Sequence, residues 1–271
     1  MMTPGPSPLG RPTAYPDRYD ASLLFAIDRS RQRAELGIGA TLPFSGVDIW
    51  TTYELSWLDH HGKPMGAVAE IRIGAESPAI VESKSLKLYL GSFAQERVDS
   101  VEELLRRITT DLSNTCAAPV GVSVMASPMA TRIAELAGES IDDRNVAVHA
   151  YAPDPTLLMR GAGFAEESLR TNLFRSNCPV TGQPDYADVL VHYRGPRIDR
   201  AALLKYFVSY RQHAAFHESC VERMFIDIGL RCRPEQLTVY ARFLRRGGID
   251  INPFRSNFEP APHRNERTPR Q

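Results

Sequence analysis

The chain repeats one order of predicted elements, and this repeat limits its possible folds more than any other feature. In the first half, residues 47–59 read as a strand because aromatic and β-branched residues dominate, and residues 65–74 supply a second strand. Apolar residues at helical spacing predict helices over 82–93 and 101–112, and residues 118–126 return to strand character. The expected order is β-β-α-α-β.

The second half follows the same order. Residues 173–175 and 186–193 are strand-like, and Asp199 is placed to cap a helix that precedes a second helix over 216–230. A strand over 236–243 and a Gly-Gly turn lead into a last extended segment. We therefore interpret the chain as two duplicated modules of mixed α and β structure.

Charge and composition narrow the function classes. The 271 residues include 32 basic and 32 acidic side chains, and a hydrophobic fraction of 43% is enough for a packed core. The resulting net charge of zero disfavours direct binding of nucleic acid. No apolar run suits a bilayer span or a signal peptide, so we expect a cytoplasmic protein with reduced thiols.

Composition also sets the expected domain boundaries. Both ends are rich in proline, arginine and polar residues, so residues 1–20 and 259–271 are predicted to be flexible tails. The N-terminal module is expected at residues 21–150 and the C-terminal module at residues 151–258.

One loop combines a thiol and a carboxylate. Pro179, Gly182 and Pro184 restrict the backbone after Cys178, and Asp185 follows seven residues after the cysteine. One interpretation is a small buried cysteine with an aspartate that caps a turn. The other is an ionisable nucleophile held beside its acid, for a covalent step with proton transfer. Spacing alone leaves both open.

A second constellation is FHESC at residues 216–220, at the predicted start of a helix. His217 and Glu218 point about 100° apart on a helix, although near its start both can project into a neighbouring groove. Glu218 can equally be a partner of the helix dipole. His213, His217 and Cys220 would align as zinc ligands only on one continuous helix, and no fourth ligand is evident.

Two further stretches are polar and cationic: ESKS at residues 82–85 and RRGG at residues 245–248. Hydroxyls, a lysine and free N–H groups at a helix start can hold phosphate, although a solvated helix start explains the same residues. No G-x-G-x-x-G follows a predicted strand, so a Rossmann nucleotide site is not supported.

Together and in this order, these segments resemble the QueF family of NADPH-dependent nitrile reductases, in its long two-module form. The matching stretches include YDASLLF, DIWTTYELSWL, VESKSLKLYLGSF, SNCPVTGQPDYADV and LTVYARFLRRGGIDINPFRSN. They extend over about residues 19–257 and are weakest over 115–170. ESKS-x-K, SNCP-x-T-x-QPD, FHE and RRGG form a highly specific set.

The resemblance implies a role for each motif. Cys178 is similar to the nucleophile that adds to the nitrile of 7-cyano-7-deazaguanine and forms a thioimide, and Asp185 is similar to the proton donor. Two NADPH molecules per turnover would complete the reduction to the aminomethyl product, which serves queuosine biosynthesis. The positions that match substrate contacts are Val81, Glu82, Ser83, His217 and Glu218, and those that match NADPH contacts are Ser83, Lys84, Arg246 and Gly247.

The resemblance also implies the architecture and the partners. In the tunnelling fold of this family, each module is an antiparallel sheet with two helices in β-β-α-α-β-β order. We therefore expect an α+β chain of two tandem tunnelling-fold modules, with ESKS in the first module and the Cys, Asp and His-Glu set in the second. A homodimer that acts on a small 7-deazaguanine base is expected, without a metal, a membrane or direct nucleic acid contact.

Two other functions stay open on the residues themselves. A thiol hydrolase of nitriles or amides would use Cys178 with water in place of hydride, and NADPH consumption separates the two. A tunnelling-fold protein could instead bind a purine or pterin, either without catalysis or in a cyclohydrolase-like way. Cys178 argues against the non-catalytic variant, and the weak zinc set argues against the other.

Overall fold

The computed structural model describes residue 16 and residues 18–125, 133–263 and 265–271. The strands in these residues are β1 (Ala26–Asp28), β2 (Ser45–Leu58), β3 (Pro64–Gly74), β4 (Ala79–Val81), β5 (Val120–Val124), β6 (Glu139–Ser140), β7 (Arg160–Asn177), β8 (Pro184–Ile198), β9 (Gln236–Phe243) and β10 (Ile249–Ser256). The α-helices are α1 (Ser30–Glu35), α2 (Ser83–Gly91), α3 (Val101–Cys116), α4 (Arg200–Ser209) and α5 (His217–Cys232), with short 3-10 helices at Ala21–Leu23, Pro155–Leu157 and Tyr210–Gln212. None of the helices in the described part of the chain is long and apolar enough to span a membrane.

Strands from both halves join in one sheet. Within the described residues, eight strands run in the order β5-β3-β2-β10-β9-β8-β7-β6, antiparallel except for the short parallel pair of β6 and β7. β1 and β4 form a separate two-stranded sheet. An α+β chain with antiparallel strands is therefore confirmed. The last strand, β10, pairs with β2 from Ile249 opposite Thr52 to Ser256 opposite Ser45, so the two halves share a sheet.

Both helix pairs lie on the same face of this sheet. Ile251 of β10 stands opposite Trp50 of β2, which stands opposite Ile71 of β3, so these side chains share a face. All three belong to the core that α2 and α3 cover. Arg255 of β10 shares that face and stands opposite Val239, which belongs to the core that α4 and α5 cover. The sheet thus has a helical face and an opposite face.

The predicted helix faces are buried as expected. Leu104 and Ile108 of α3 pack in the first core, and Phe225 of α5 packs in the second. Full burial of one such side chain contributes about 1.5–3 kcal/mol to stability. The Asp199 carboxylate accepts a hydrogen bond from Ala202 N at 2.8 Å, which confirms the predicted N-cap of α4.

A buried ion-pair network joins the two halves. Arg255 is fully buried and pairs with Asp48 of β2 at 2.8 Å and with Glu222 of α5 at 2.9 Å. Arg29 pairs with Asp48 at 2.5 Å, and Arg33 of α1 pairs with Glu222 at 2.7 Å. Because each buried charge has an opposite partner, the cost of its desolvation is offset. The network holds α1 and α5 to the pair formed by β2 and β10.

Residues 265–271 differ from the flexible tail predicted over 259–271. Asn265 Nδ2 donates to Thr51 Oγ1 at 2.8 Å. Thr51 points to the opposite face of the sheet because alternate residues of β2 point to the helices. Asn265 and Gln271 are both buried there. Polar composition suggested mobility, but this part of the sheet is itself polar and supplies hydrogen-bond partners.

Candidate active site

A cavity of about 190 Å³ lies where the two halves of the chain meet. Four elements surround it: the start of α2, the loop between β7 and β8, the start of α5, and the turn between β9 and β10. The predicted site residues that line it are Val81, Ser83, Lys84, Cys178, Asp185, His217, Glu218, Arg246 and Gly247. The cavity therefore brings together motifs from both halves.

The loop that carries Cys178 is a closed turn. Cys178 N donates to Gln183 O at 2.8 Å, and Gly182 N donates to Cys178 O at 3.0 Å. Gly182 has φ +68°, a conformation that glycine adopts without strain. The loop joins the paired ends of β7 and β8, where Asn177 stands opposite Pro184. The sulfur is thus held at the end of a hairpin.

The Cys178 thiol is buried and yet favours ionisation. Only 6% of Cys178 is exposed, and this burial by itself opposes a charged sulfur. Hydrogen bonds from the Thr181 hydroxyl, from the Thr181 and Val180 backbone and from Arg246 outweigh the effect of burial, so the pKa of Cys178 lies below its ordinary value. A lowered pKa increases the thiolate fraction near neutral pH, which a nucleophile requires.

The other three cysteines have a pKa above the ordinary value of a thiol. Burial raises the pKa of Cys116 and of Cys232 to about 11, and that of Cys220 to about 12. Each of these three lies in a hydrophobic core as a free thiol. Among the cysteines, all of which the structure describes, only Cys178 combines a cavity position with a lowered pKa. This contrast favours the nucleophile interpretation of the Cys178 loop over the core interpretation.

Asp185 is oriented by two neighbours. It is 1% exposed at the start of β8, with Oδ2 at 3.3 Å from His217 Nε2 and Oδ1 at 3.0 Å from Arg246 Nη1. The Arg246 contact is an ion pair without hydrogen-bond alignment, since neither atom has a hydrogen-bond partner. The His217 ring stacks on Phe243 at 3.8 Å between centroids, which fixes its plane. The Asp185 carboxyl group is therefore held in a fixed orientation in the cavity wall.

Glu218 is a buried carboxylate without a full set of partners. It is 3% exposed, and its Oε1 accepts no hydrogen bond in the described structure. Burial, and next the charge of Asp48, raise the pKa of Glu218 to about 7. His217 Nδ1 likewise has no partner among the described residues. Unsatisfied buried polar atoms are rare in folded proteins, so these two, on neighbouring residues of the cavity wall, point to a ligand that pairs with them.

The start of α2 forms another wall. Val81, Ser83 and Lys84 line the cavity, whereas Glu82 is absent from the described lining residues. The Glu82 carboxylate turns to its own helix and accepts from Lys84 N at 2.7 Å and from Ser85 N at 2.8 Å. The Glu82 side chain is therefore the N-cap of α2, and the substrate contact that the match to the family predicts for Glu82 stays a prediction. Those two N–H groups are therefore not available to a phosphate.

Replacing Glu82 by alanine is expected to loosen α2 and, through Val81 and Ser83, to weaken substrate binding. Loss of the cap should lower the free energy of unfolding by about 0.5–2 kcal/mol. Calorimetry with 7-cyano-7-deazaguanine, the substrate that the resemblance implies, gives the affinity in the absence of NADPH. Ser100→Ala is the matched control, because Ser100 caps α3, which contributes no residue to the described cavity lining. Equal affinity in Glu82→Ala and wild type would contradict this role.

The turn between β9 and β10 carries Arg246 and Gly247. Gly247 has φ +60° and Gly248 has φ +85°, the pair of positive angles that a type I′ turn requires. Arg246 N donates to Ile249 O at 2.9 Å, and the predicted Gly-Gly turn is confirmed. A Cβ at position 247 would lie 2.8 Å from Lys87 Nζ of α2, so the turn closely approaches the helix of the other half.

The alternative zinc site is not formed. α4 ends at Ser209 and α5 begins at His217, so His213 lies between the two helices. His213, His217 and Cys220 therefore do not align on one helix, and the part of the chain that the structure describes holds no group of three or more His, Cys, Asp or Glu side chains that could bind a metal ion. Burial lowers the pKa of His213 to about 4.

Sequence reasoning missed the residues that complete the cavity. Trp50 and Ile251 meet across the pairing of β2 with β10, which no local pattern reveals. Thr181 was detectable, because a hydroxyl three residues after a candidate nucleophile can donate to its sulfur. The further lining residues are Ile80, Lys87, Pro179, Gln183, Ala215, Phe216, Leu244 and Ile249. Trp50, Phe216 and the aliphatic side chains make part of this wall apolar and aromatic, which suits a flat heterocycle.

A mixed α+β chain whose cavity holds a buried thiol of lowered pKa beside an oriented carboxyl group has the arrangement expected of an enzyme that uses a thiol. A protein of Bordetella parapertussis named NADPH-dependent 7-cyano-7-deazaguanine reductase is 56% identical to this chain over 269 residues, which cover 98% of each chain. A protein of the same name from Burkholderia vietnamiensis is 53% identical to this chain over 275 residues, which cover 100% of each chain. This chain therefore belongs to the family of NADPH-dependent 7-cyano-7-deazaguanine reductases.

Family models agree with this membership. The model described as nitrile reductase, 7-cyano-7-deazaguanine-reductase N-term, matches residues 15–124, and the model described as QueF-like protein matches residues 184–262. A relative of the same name from Chromobacterium violaceum is 53% identical over 274 residues, 99% of this chain and 98% of its own. A solved structure of the archaeosine synthase QueF-Like in the apo form matches 37% of this chain and 100% of its own chain, at 20% sequence identity. The TM-score of this match is 0.31, which is too low to bear on the fold.

Proposed function

We propose that this chain reduces the nitrile group of 7-cyano-7-deazaguanine to an aminomethyl group, with NADPH as reductant and through a thioimide on Cys178. The observation that carries the proposal is one cavity that holds a thiol of lowered pKa together with an oriented carboxyl group, Asp185. The names of the relatives supply the substrate and the reductant.

Cys178 and Asp185 divide the attack on the nitrile between them. The Cys178 sulfur forms a bond to the nitrile carbon while the carbon–nitrogen triple bond becomes a double bond. Asp185 passes the proton that the thiol gives up to the nitrile nitrogen. The net change is addition of S–H across the nitrile, so the adduct needs no other reactant.

NADPH, when bound, supplies hydride to the former nitrile carbon, twice per substrate. Between the two transfers Cys178 leaves as a thiolate, which the hydrogen bonds from the Thr181 loop and Arg246 stabilise. Asp185 directs a proton to the nitrogen with the first hydride, and the proton that accompanies the second hydride returns to the Cys178 thiolate, so charges balance at both stages. The nitrile carbon and nitrogen together gain four hydrogen atoms, and the Cys178 thiol is regenerated.

Glu218 is suited to bind the guanine-like edge of the substrate. Its ionised carboxylate can accept two hydrogen bonds from adjacent N–H donors, which an amide side chain cannot match. Trp50 and Phe216 line the cavity and suit the faces of the ring system. The proposed substrate contacts are Val81, Glu82, Ser83, His217 and Glu218, and Glu82 also caps α2.

The α2 side of the cavity and the Gly247 turn fit a dinucleotide. Lys84 and Arg246 add positive charge to the wall, and Gly247 lets a ligand approach the backbone. Arg246 Nη1 has no aligned hydrogen-bond partner among the described residues, so a phosphate could accept from it without breaking a hydrogen bond. We propose Ser83, Lys84, Arg246 and Gly247 as the NADPH contacts.

Replacing Arg246 by alanine is expected to raise the KM for NADPH and to narrow the preference for NADPH over NADH. A charged hydrogen bond to phosphate contributes about 1.5–3 kcal/mol, and Lys84→Ala should act in the same direction. Steady-state rates with both reductants measure the ratio. Arg231→Ala is the control, since Arg231 is exposed in the last turn of α5. An unchanged ratio in both site variants would place phosphate recognition elsewhere.

Intact-protein mass spectrometry tests the proposed function. Incubation with 7-cyano-7-deazaguanine alone should add the mass of the nitrile to the protein, and NADPH should then discharge it, with two equivalents oxidised per aminomethyl product. A thiol hydrolase would release ammonia without oxidising NADPH, and a purine- or pterin-binding protein would form no adduct. If the protein forms no adduct and oxidises no NADPH, the chain is not this reductase.

We further propose the architecture and setting of the family for this chain. The halves correspond to tandem tunnelling-fold modules at residues 21–150 and 151–258, each in β-β-α-α-β-β order. The protein assembles as a homodimer and acts in the cytoplasm on the free base, in the biosynthesis of queuosine for tRNA modification. The repeated element order and membership of the family support this proposal. Light scattering of the purified protein measures the assembly.

A further inference from the structure

The hairpin that carries Arg246 is only partly held by backbone pairing. In this fully described hairpin, β9 and β10 pair from Ser256 opposite Thr238 to Phe254 opposite Tyr240, and their pairing resumes only at the turn, where Arg246 bridges to Ile249. Pro253 comes next in β10, and a proline has no N–H to donate to a neighbouring strand. Between these two points the arms lack a backbone ladder to each other, while their outer edges stay paired, β9 with β8 as far as Phe243 and β10 with β2 as far as Ile249.

The Gln271 side chain occupies the place where this ladder stops. Its Nε2 donates to Phe243 O of β9 at 2.9 Å and to Asn252 Oδ1 of β10 at 2.6 Å. Its Oε1 accepts from Arg242 Nε of β9 at 2.8 Å and from Thr268 N at 3.1 Å. Gln271 is 8% exposed, so these bonds are largely shielded from water. One amide thus links both arms just beyond their last paired residues.

Further contacts reach the turn itself. Arg245 N donates to Arg270 O at 3.2 Å. The guanidinium groups of Arg245 and Arg267 lie 4.6 Å and 5.0 Å from the centroid of the Tyr53 ring, within the range of cation–π attraction. Tyr53 N donates to Gly248 O at 2.9 Å. Residues 265–271 and Tyr53 therefore hold the turn at both of its ends.

Such support matters because two successive glycines give the turn wide conformational freedom. Arg246 lies 3.0 Å from Asp185, and Gly247 lines the cavity beside it. A turn that had to be ordered each time a nucleotide binds would lose affinity to that ordering.

We propose that residues 265–271 are a positioning element of the nucleotide site. The Gln271 amide replaces the missing ladder between β9 and β10, and so holds Arg246 and Gly247 where NADPH binds. This inference rests on the proposed function, because it assigns the turn to NADPH. Gln271 touches no reacting group and acts through the turn.

The test replaces Gln271 by alanine in the full chain. The KM for NADPH should rise about fivefold or more while kcat stays within about twofold, and the adduct with 7-cyano-7-deazaguanine should still form completely without NADPH. Amide hydrogen exchange over residues 244–249 should become about tenfold faster. Gln271→Glu should behave like Gln271→Ala, because a carboxylate cannot donate to Phe243 O and Asn252 Oδ1.

Two controls separate positioning from general stability. Glu266→Gln changes an exposed side chain in the same segment, and Tyr206→Phe removes a buried hydrogen bond to Asp227 in the helical layer. An unchanged KM or unchanged exchange in Gln271→Ala would overturn the proposal, as would losses of kcat and Tm that match those of Tyr206→Phe. A wild type that forms no adduct would instead reject the proposed function, while the exchange rates still report whether Gln271 holds the turn.

Discussion

Replacing Cys178 by alanine is expected to abolish both adduct formation and NADPH oxidation while the fold stays intact. The reason is chemical, since alanine offers no sulfur to bond to the nitrile carbon and no other group in the described cavity is a thiol. The thiol is small and lies in a cavity wall, so its loss should change the free energy of unfolding little. Intact mass after incubation with 7-cyano-7-deazaguanine and absorbance of NADPH measure the two losses.

Cys116→Ala is the matched control for this experiment. Cys116 is also buried, but burial raises its pKa to about 11, and it lies in the core that α2 and α3 cover. It should keep the adduct and the turnover. Asp185→Asn should slow adduct formation more than it weakens docking, because the amide keeps the shape and removes the acid. Wild-type turnover in Cys178→Ala would end the covalent mechanism.

Replacing Glu218 by glutamine is expected to cost affinity for 7-cyano-7-deazaguanine by about thirtyfold to a few thousandfold. Truncating or mismatching one side of a buried charged hydrogen-bond pair costs about 2–5 kcal/mol, at about 1.4 kcal/mol per tenfold. Glutamine turns one acceptor into a donor that faces the N–H donors of the substrate. Calorimetry without NADPH gives the affinity. Asp227→Asn is the control, since Asp227 is a buried carboxylate of the same helix that pairs with Tyr206.

The pH dependence of substrate binding is a second test of the proposed role of Glu218. Burial raises the pKa of Glu218 to about 7 from 4.5, so at lower pH the carboxyl must first lose a proton to bind the substrate. Affinity should therefore rise about tenfold per pH unit up to pH 7 and level off above it. Glu218→Gln should remove this slope. A wild type with no slope in that window would contradict the assignment.

The raised pKa of Glu218 also predicts how the Glu218→Gln substitution changes the stability of the protein. Between 4.5 and about 7 the folded protein keeps a proton on Glu218 that the unfolded chain has lost, so this residue makes stability fall as the pH rises through that window. Above pH 7 Glu218 is ionised in the folded protein, and without a bound ligand its buried charge lacks a full set of hydrogen-bond partners. Glu218→Gln should therefore be at least as stable as wild type at pH 8, which thermal unfolding measures.

Local spacing predicted the helices and their buried faces, but it could not predict the full length of the strands. Only residues 173–175 of β7 read as a strand, yet β7 extends from Arg160 to Asn177. Its first part is rich in glycine, alanine and glutamate, and it is extended because β8 pairs with it. Pairing of this kind depends on residues far away in the chain, so no local pattern contains it.

The motifs identified most of the cavity wall, because reactive groups have distinctive chemistry, but they did not show where each side chain points. Glu82 belongs to the ESKS motif, and its carboxylate turns into the cap of α2. The polar stretch ending at Gln271 looked mobile by composition, and its partners are polar residues of a sheet that forms only in the folded chain. The direction of the Glu82 side chain and the packing of the segment that ends at Gln271 are both set by tertiary structure.

The pairing of β2 with β10 also restricts how the chain can vary in length. The strands face each other from Ile249 opposite Thr52 to Ser256 opposite Ser45. An insertion of one residue within β10 would shift the following part by about 3.3 Å and turn every later side chain to the other face. Ile251 would then leave the cavity wall, and Arg255 would leave its ion pairs. The number of residues between the Gly-Gly turn and the end of β10 is therefore constrained in itself, because a change in length displaces many side chains at once, whereas a substitution changes only one.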